Sequence, residues 1–187
     1  MMIGKFIQFE DCSVHMICQS HLAYCLSLPR TALMIASMKG NVDIVRILLQ
    51  YNACPNKVDM HGSTALLEAT KHGNEAIMAL LCEYGAKLCL SESQAASILC
   101  QAVFDGNILL IKRLLKAGIN VNACDYDKRS AAHISAAEGN LPALRVLAAA
   151  GADLSAVDRW SNTVHDEAKR SQAKQVLVFL EKIHNGD

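Results

Sequence analysis

The sequence predicts an all-α solenoid of helix-turn-helix units joined by short hairpin-like loops, and four periodic series of residues carry that reading. Gly40, Gly73, Gly106 and Gly139 stand 33 residues apart, and each is followed by an asparagine, Asn41, Asn74, Asn107 and Asn140. The same step links Leu48, Leu81, Leu114, Leu147 and Leu180. It also links the hydroxyls Thr31, Thr64, Ser97, Ser130 and Thr163, and the small residues Ala36, Ala69, Ala102, Ser135 and Ala168. Unrelated residue classes on one period mark a repeated unit that buries its apolar face only by stacking on its neighbours.

Each unit opens with helix one. The hydroxyl stands where that helix begins and accepts a hydrogen bond from a free N–H of the first turn. The small residue five positions on lets neighbouring helices approach closely. The Gly-Asn pair ends the helix, because glycine tolerates the left-handed conformation after a helix and asparagine favours the turn that follows. Helix two comes next, as in Val42 to Gln50 or Leu109 to Lys116, with Ile44, Ile47 and Leu48 on one face of the first and Leu110 and Leu114 on the equivalent face of the second. It ends at Asn52, Gly85, Gly118 or Gly151. The stretches 56–62, 122–129 and 155–161 carry aspartate and turn residues and read as hairpin-like loops to the next helix pair.

This period divides the chain into about five units, 29–58, 59–91, 92–124, 125–157 and 158–187, behind an irregular N-terminal leader or degenerate cap at 1–28. Leu26 stands in that leader where an aspartate belongs, and no Gly-Asn pair precedes it. Unit three departs most within the repeats, with Ala96-Ser97-Ile98-Leu99-Cys100 at its helix-one position and no aspartate before it, so an irregular loop is expected there. The last unit closes on the amphipathic run Val176-Leu177-Val178-Phe179-Leu180-Glu181-Lys182 and a polar tail, as a capping helix does.

The unit resembles the ankyrin repeat. That family's threonine-proline-leucine-histidine opening of helix one stands here as Thr31-Ala32-Leu33-Met34, Thr64-Ala65-Leu66-Leu67 and Ser130-Ala131-Ala132-His133. The resemblance implies an ankyrin-repeat solenoid and a structural role for His133, whose ring would hydrogen-bond between adjoining loops. The fourth and fifth loops are similar to something narrower. Asp125-Tyr126-Asp127-Lys128-Arg129-Ser130 with His133, followed by Asp158-Arg159-Trp160-Ser161-Asn162-Thr163 with Asp166-Glu167-Ala168, looks like the ankyrin region of plant Shaker-type outward-rectifying potassium channels and the C-terminal ankyrin segment of kidney-type glutaminases. The chain departs from both at Val164-His165 and has Ser161 where the channels have glycine. It carries no pore helices and no amidohydrolase core, so the resemblance implies at most a regulatory segment.

Composition narrows the function classes. Lysine plus arginine equals aspartate plus glutamate at 18 each, a net charge of zero that gives no footprint for nucleic acid. Lys112, Arg113 and Lys116 read as a solvated helix face rather than a basic stripe. The apolar run from Val14 to Leu28 is interrupted by His15, Gln19, Ser20 and His21, so no membrane insertion is expected. Eight cysteines without a C-x-x-C pair read as small hydrophobes inside helices of a protein kept in the reducing cytoplasm. No nucleophile elbow, phosphate-binding glycine loop or zinc-protease helix is present, so no enzyme activity, no cofactor and no metal are expected.

What remains is a protein-protein interaction module, a scaffold or adaptor, expected to be monomeric. Its partner, a protein not identified by the sequence, should meet the loop tips and the concave helix face, because these are not committed to stacking. The candidate contacts are Lys57, Met60, His61, Tyr126, Asp127, Lys128, Arg159 and Trp160. Trp160, the only tryptophan, either anchors a partner or stiffens the C-terminal cap.

Overall fold

A computed structural model of the chain describes residues 30–185. Among these are ten helices in five pairs and no strand. The pairs are α1 (Ala32–Lys39) with α2 (Val42–Gln50), α3 (Ala65–His72) with α4 (Glu75–Glu83), and α5 (Glu92–Phe104) with α6 (Ile108–Lys116). They continue as α7 (Ala131–Ala137) with α8 (Leu141–Ala149), and α9 (Val164–Arg170) with α10 (Lys174–Asn185).

Four of the five repeated hydroxyls stand at a helix start, and three of them accept a capping bond from the first turn. Thr31, Thr64 and Thr163 accept through Oγ1 from the backbone N–H groups of Met34, Leu67 and Asp166. Ser97 does not begin a helix. Ser91 does, in a reciprocal capping box with Gln94, and Ser97 lies exposed in the interior of α5. The physical reason lies in residues 92–96, Glu-Ser-Gln-Ala-Ala, which contain no glycine, proline, asparagine or aspartate and continue a helix once Ser91 and Gln94 satisfy its first N–H groups. Helix one ends as expected: Gly40 and Gly73 adopt φ of 79° and 75°, and the N–H of Asn41 returns to the carbonyl of Ala36 at 3.0 Å.

Units stack through these helices, and the small residues permit it. Ala36, Ala69, Ala102, Ser135 and Ala168 are all buried. Helix α1 packs on α3, α5 on α7 and α7 on α9. Between units two and three the order changes, and α3 meets α6. There Arg113 of α6 lies over Gly73, so close that a Cβ on that glycine would stand 2.8 Å from the guanidinium carbon. Arg113 also pairs with Glu75 at 3.6 Å. It is therefore a packing element rather than part of a solvated basic face. Asparagines tie units together as well: Asn74 donates to the carbonyl of Ser37, and Asn140 donates to that of Val103 at 3.1 Å.

One apolar cluster runs from Leu33 to Leu147, and a second, containing Ala132, Ala136, Leu144, Val164, Ala168, Val176 and Leu180, closes the stack. They meet inside unit four. In α2 the structure corrects the expected apolar face. Val45 and Leu49 are its buried residues and Leu48 is half-buried, whereas Ile44 and Ile47 are 48% and 50% exposed.

Candidate functional site

Three of the loops carry the same turn, and an aspartate builds it each time. Asp59, Asp125 and Asp158 each accept, through one carboxylate oxygen, the N–H groups two and four residues on. The distances are 2.9 and 2.8 Å from His61 and Ser63, 2.9 and 2.8 Å from Asp127 and Arg129, and 2.8 Å from both Trp160 and Asn162. The backbone closes each turn with a bond from the aspartate N–H to the carbonyl four residues on. Isolated bridges pair Cys124 with Ser130 and Val157 with Thr163, so these loops are short hairpins. Burial pushes the Asp59 and Asp158 carboxyls up, but the N–H donors outweigh it, and both end below the usual carboxylate range.

The turns present the residues expected at the tips. Met60 and His61 are exposed on the first, Tyr126 is 93% exposed on the second, and Trp160 is 59% exposed on the third. Lys57, Lys128 and Arg159 are exposed, and Asp127 is half-buried. The second and third tips are joined, because Arg159 hydrogen-bonds to Asp127 through its backbone and pairs with it through its side chain. Lys57 lies before the first turn, next to Asn56, which clamps that loop to the following unit by donating to the carbonyl of Gly85 and accepting from the N–H of Lys87. Asn122 repeats the clamp on Gly151 and Asp153.

Unit three has no such hairpin, because α5 begins where its turn would stand. The extended helix and the next tip enclose a groove of about 420 Å³ lined by Ser97, Cys100, Gln101, Phe104, Tyr126 and Arg129 among others. Phe104, which the sequence reading missed, is 65% exposed at its edge. A signal existed: the equivalent positions in the other units are Met38, Lys71, Ala137 and Arg170, none of them aromatic, so a phenylalanine there is out of pattern. The groove offers no activated nucleophile. Burial first, and then the charge of Asp125, pushes the Cys100 thiol up to about 11.

His133 is fully buried and bridges two loops. Its Nδ1 accepts from the N–H of Ser130 at 3.2 Å, and its Nε2 lies 3.2 Å from the carbonyl of Ala156. A carbonyl can only accept, which assigns the proton to Nε2. The cysteines depart from expectation. Cys54, Cys82 and Cys89 are exposed, and all five described cysteines are free. Cys54 and Cys89 sit in loops, and Cys82 occupies the outward face of α4, so none of these three acts as a core hydrophobe. Among the described residues no group of three potential ligands could hold a metal ion, and no helix is long and apolar enough to cross a membrane. The run from Val14 to Leu28 lies outside the described residues.

Comparison with known families gives two matches. A model described as ankyrin repeats in three copies matches residues 5–92, and a second, described as ankyrin repeats in many copies, matches residues 99–148. No curated protein matches the chain.

Proposed function

This chain belongs to the ankyrin-repeat family, whose repeats are generally protein-interaction modules, and we propose that it binds a protein partner through the tips of the fourth and fifth loops and the adjoining concave groove. The observation that carries the reading is a row of exposed rings on a braced support. Tyr126 and Trp160 stand on neighbouring tips tied by Asp127 and Arg159, and Phe104 flanks the same groove. Large rigid rings that lose little entropy on contact are the commonest anchors of protein interfaces, and among the described residues these three keep more than half of their surface exposed. Lys57, Met60, His61 and Lys128 extend the surface as polar and flexible contacts around the anchors. A scaffold or adaptor role follows, with no cofactor and no nucleic acid. Exposed free thiols at Cys54, Cys82 and Cys89 fit the reducing cytoplasm, and a monomer fits the lack of a heptad seam.

The test uses affinity capture from source-cell extract with the wild-type chain and with a Tyr126→Ala, Trp160→Ala, Phe104→Ala variant. These three changes leave every hydrogen bond of the turns in place. Proteins held by wild type and lost by the equally helical variant support the surface. Identical recovery by both chains refutes it.

A second reading rests on the loops themselves. The runs from Asp125 to Ser130 and from Asp158 to Thr163 resemble those of plant Shaker-type potassium channels and kidney-type glutaminases, which would make this a regulatory segment acting on an attached pore or amidase. Asp125 and Asp158 are accounted for by turn geometry alone, so the support narrows to Tyr126, Asp127, Arg159 and Trp160. Sequencing the parent transcript decides it: a fused pore or catalytic domain supports the reading, and none removes it.

A further inference from the structure

Helix two of each unit carries adjacent apolar positions that face opposite ways along the stack. In unit four, Leu144 belongs to the cluster shared with unit five, and Ala143 belongs to the cluster shared with the earlier units. The position of Ala143 therefore faces the preceding unit. Its equivalents Ile77 and Val176 are, like Ala143, 0% exposed, and Leu110 is half-buried. In unit one the equivalent is Ile44, 48% exposed, beside Ile47 at 50% and Ile35 at 45%. Ala32 is exposed too, whereas its equivalents Ala65, Ala131 and Val164 are buried. Among the described residues, the first unit thus leaves open the face that the later units cover with a neighbour. The other end of the stack is built differently, with the half-buried His165 where Leu33, Leu66 and Leu99 stand. A terminal unit that meets water has a polar outer face, and three isoleucines do not make one.

We propose that residues 5–29 of the same chain dock on this face as a further, irregular unit. Three observations select this occupant over a second copy or a foreign protein. The three-copy family match runs from residue 5 to 92, yet only two helix pairs, α1–α2 and α3–α4, lie between residues 30 and 91. The segment leads directly into α1, so its effective concentration at the face exceeds that of any separate molecule. It is also long enough: α2 and its loop to α3 occupy the 23 residues 42–64, and residues 5–29 number 25. Val14 to Leu28 supplies the apolar side chains such a surface needs.

The thiols of the full-length chain provide the test. Cys12, Cys18 and Cys25 lie in the segment, while Cys54, Cys82 and Cys89 are exposed internal references. With a maleimide probe, the first three should react about tenfold more slowly than the references, independently of protein concentration. An Ile44→Asp, Ile47→Asp variant of unchanged helicity should raise them to the reference rate. Equal rates in wild type, or slow rates that the aspartates leave unchanged, would overturn the proposal. Protection that grows with concentration would assign the face to a second copy. Should the variant fail to fold, amide hydrogen exchange of residues 5–29 in the unsubstituted chain decides instead: slowed exchange in the monomer supports docking, and exchange at the free-peptide rate rejects it.

Discussion

The backbone N–H of Arg159 donates to the carbonyl of Asp127 at 2.8 Å, and its guanidinium lies 3.4 Å from the same residue's carboxylate. Two neighbouring loop tips are thereby held in register by one bond that substitution to alanine leaves in place and one that it removes. The ionic part is exposed and screened, so it contributes little to stability. A double-mutant cycle of Asp127→Ala and Arg159→Ala should give a coupling of about 0.2–1 kcal/mol that falls with added salt. Urea unfolding at two salt concentrations measures it. A coupling of several kcal/mol would mean that the tips depend on the pair. In that case any binding loss from Arg159→Ala could not be read as a lost contact.

His133 connects the start of α7 to the next loop from inside the protein, so its removal leaves the carbonyl of Ala156 and the N–H of Ser130 without partners and opens a cavity. His133→Ala should therefore cost about 2–4 kcal/mol. His133→Gln, which keeps one donor, should fall between. Denaturant midpoints report both, and a loss under about 0.5 kcal/mol would show that the loops hold without the ring.

Much of the fold is legible because it rests on local chemistry repeated at one step. Threonine caps, left-handed glycines and buried small residues depend on a few neighbouring atoms, and the bridging role of His133 follows from the family resemblance. Two things escape such a reading. Helix two lies between two units, so both Ile44 and Val45 are apolar, and the pattern of one helix does not say which neighbour covers which residue. At unit three the period places Ser97 at a helix start, but Ser91 and Gln94 form the better cap, and choosing between them requires comparing local energies rather than counting. The candidate surface was legible in part. Exposed tips follow from turn chemistry, but the groove beside Phe104 exists only because α5 displaces a hairpin.

Lys128 and Ser161 sit at φ of 58° and 64°, in the turn position that Gly62 fills at 75°. A side chain in the left-handed region costs roughly 1 kcal/mol, and glycine removes that cost at some expense in unfolded-chain entropy. Lys128→Gly and Ser161→Gly should each stabilise the chain by up to about 0.5–1 kcal/mol, while Gly62→Ala should destabilise it. The new Cβ would meet the side-chain nitrogen of Gln94, the free end of an exposed side chain that can move aside, so the cost of the Gly62 change is chiefly backbone strain. Thermal midpoints order the three variants, and a lowered midpoint for Ser161→Gly would show that its hydroxyl contributes more than the strain costs.

Asp59 sets the acid limit of the first turn. Burial raises its carboxyl, but donation from the N–H groups of Ser63 and His61 and the nearby charges of His61 and Arg30 bring it below the ordinary value. A group whose folded pKa is lowered contributes stability that is fully present above the unfolded value, about 3.9, and is lost as pH falls through the folded one. Stability should therefore decline as pH drops below about 4, with Asp158 and Asp166 contributing in the same direction. Asp59→Asn keeps an oxygen able to accept both N–H groups but cannot titrate, so it should cost less than Asp59→Ala at neutral pH and flatten the acid limb. Urea midpoints measured from about pH 2.5 to about pH 7 test this, a range that brackets the transition. An acid limb as steep in Asp59→Asn as in wild type would place the sensitivity in other carboxylates and leave Asp59 as a turn former whose charge does not matter.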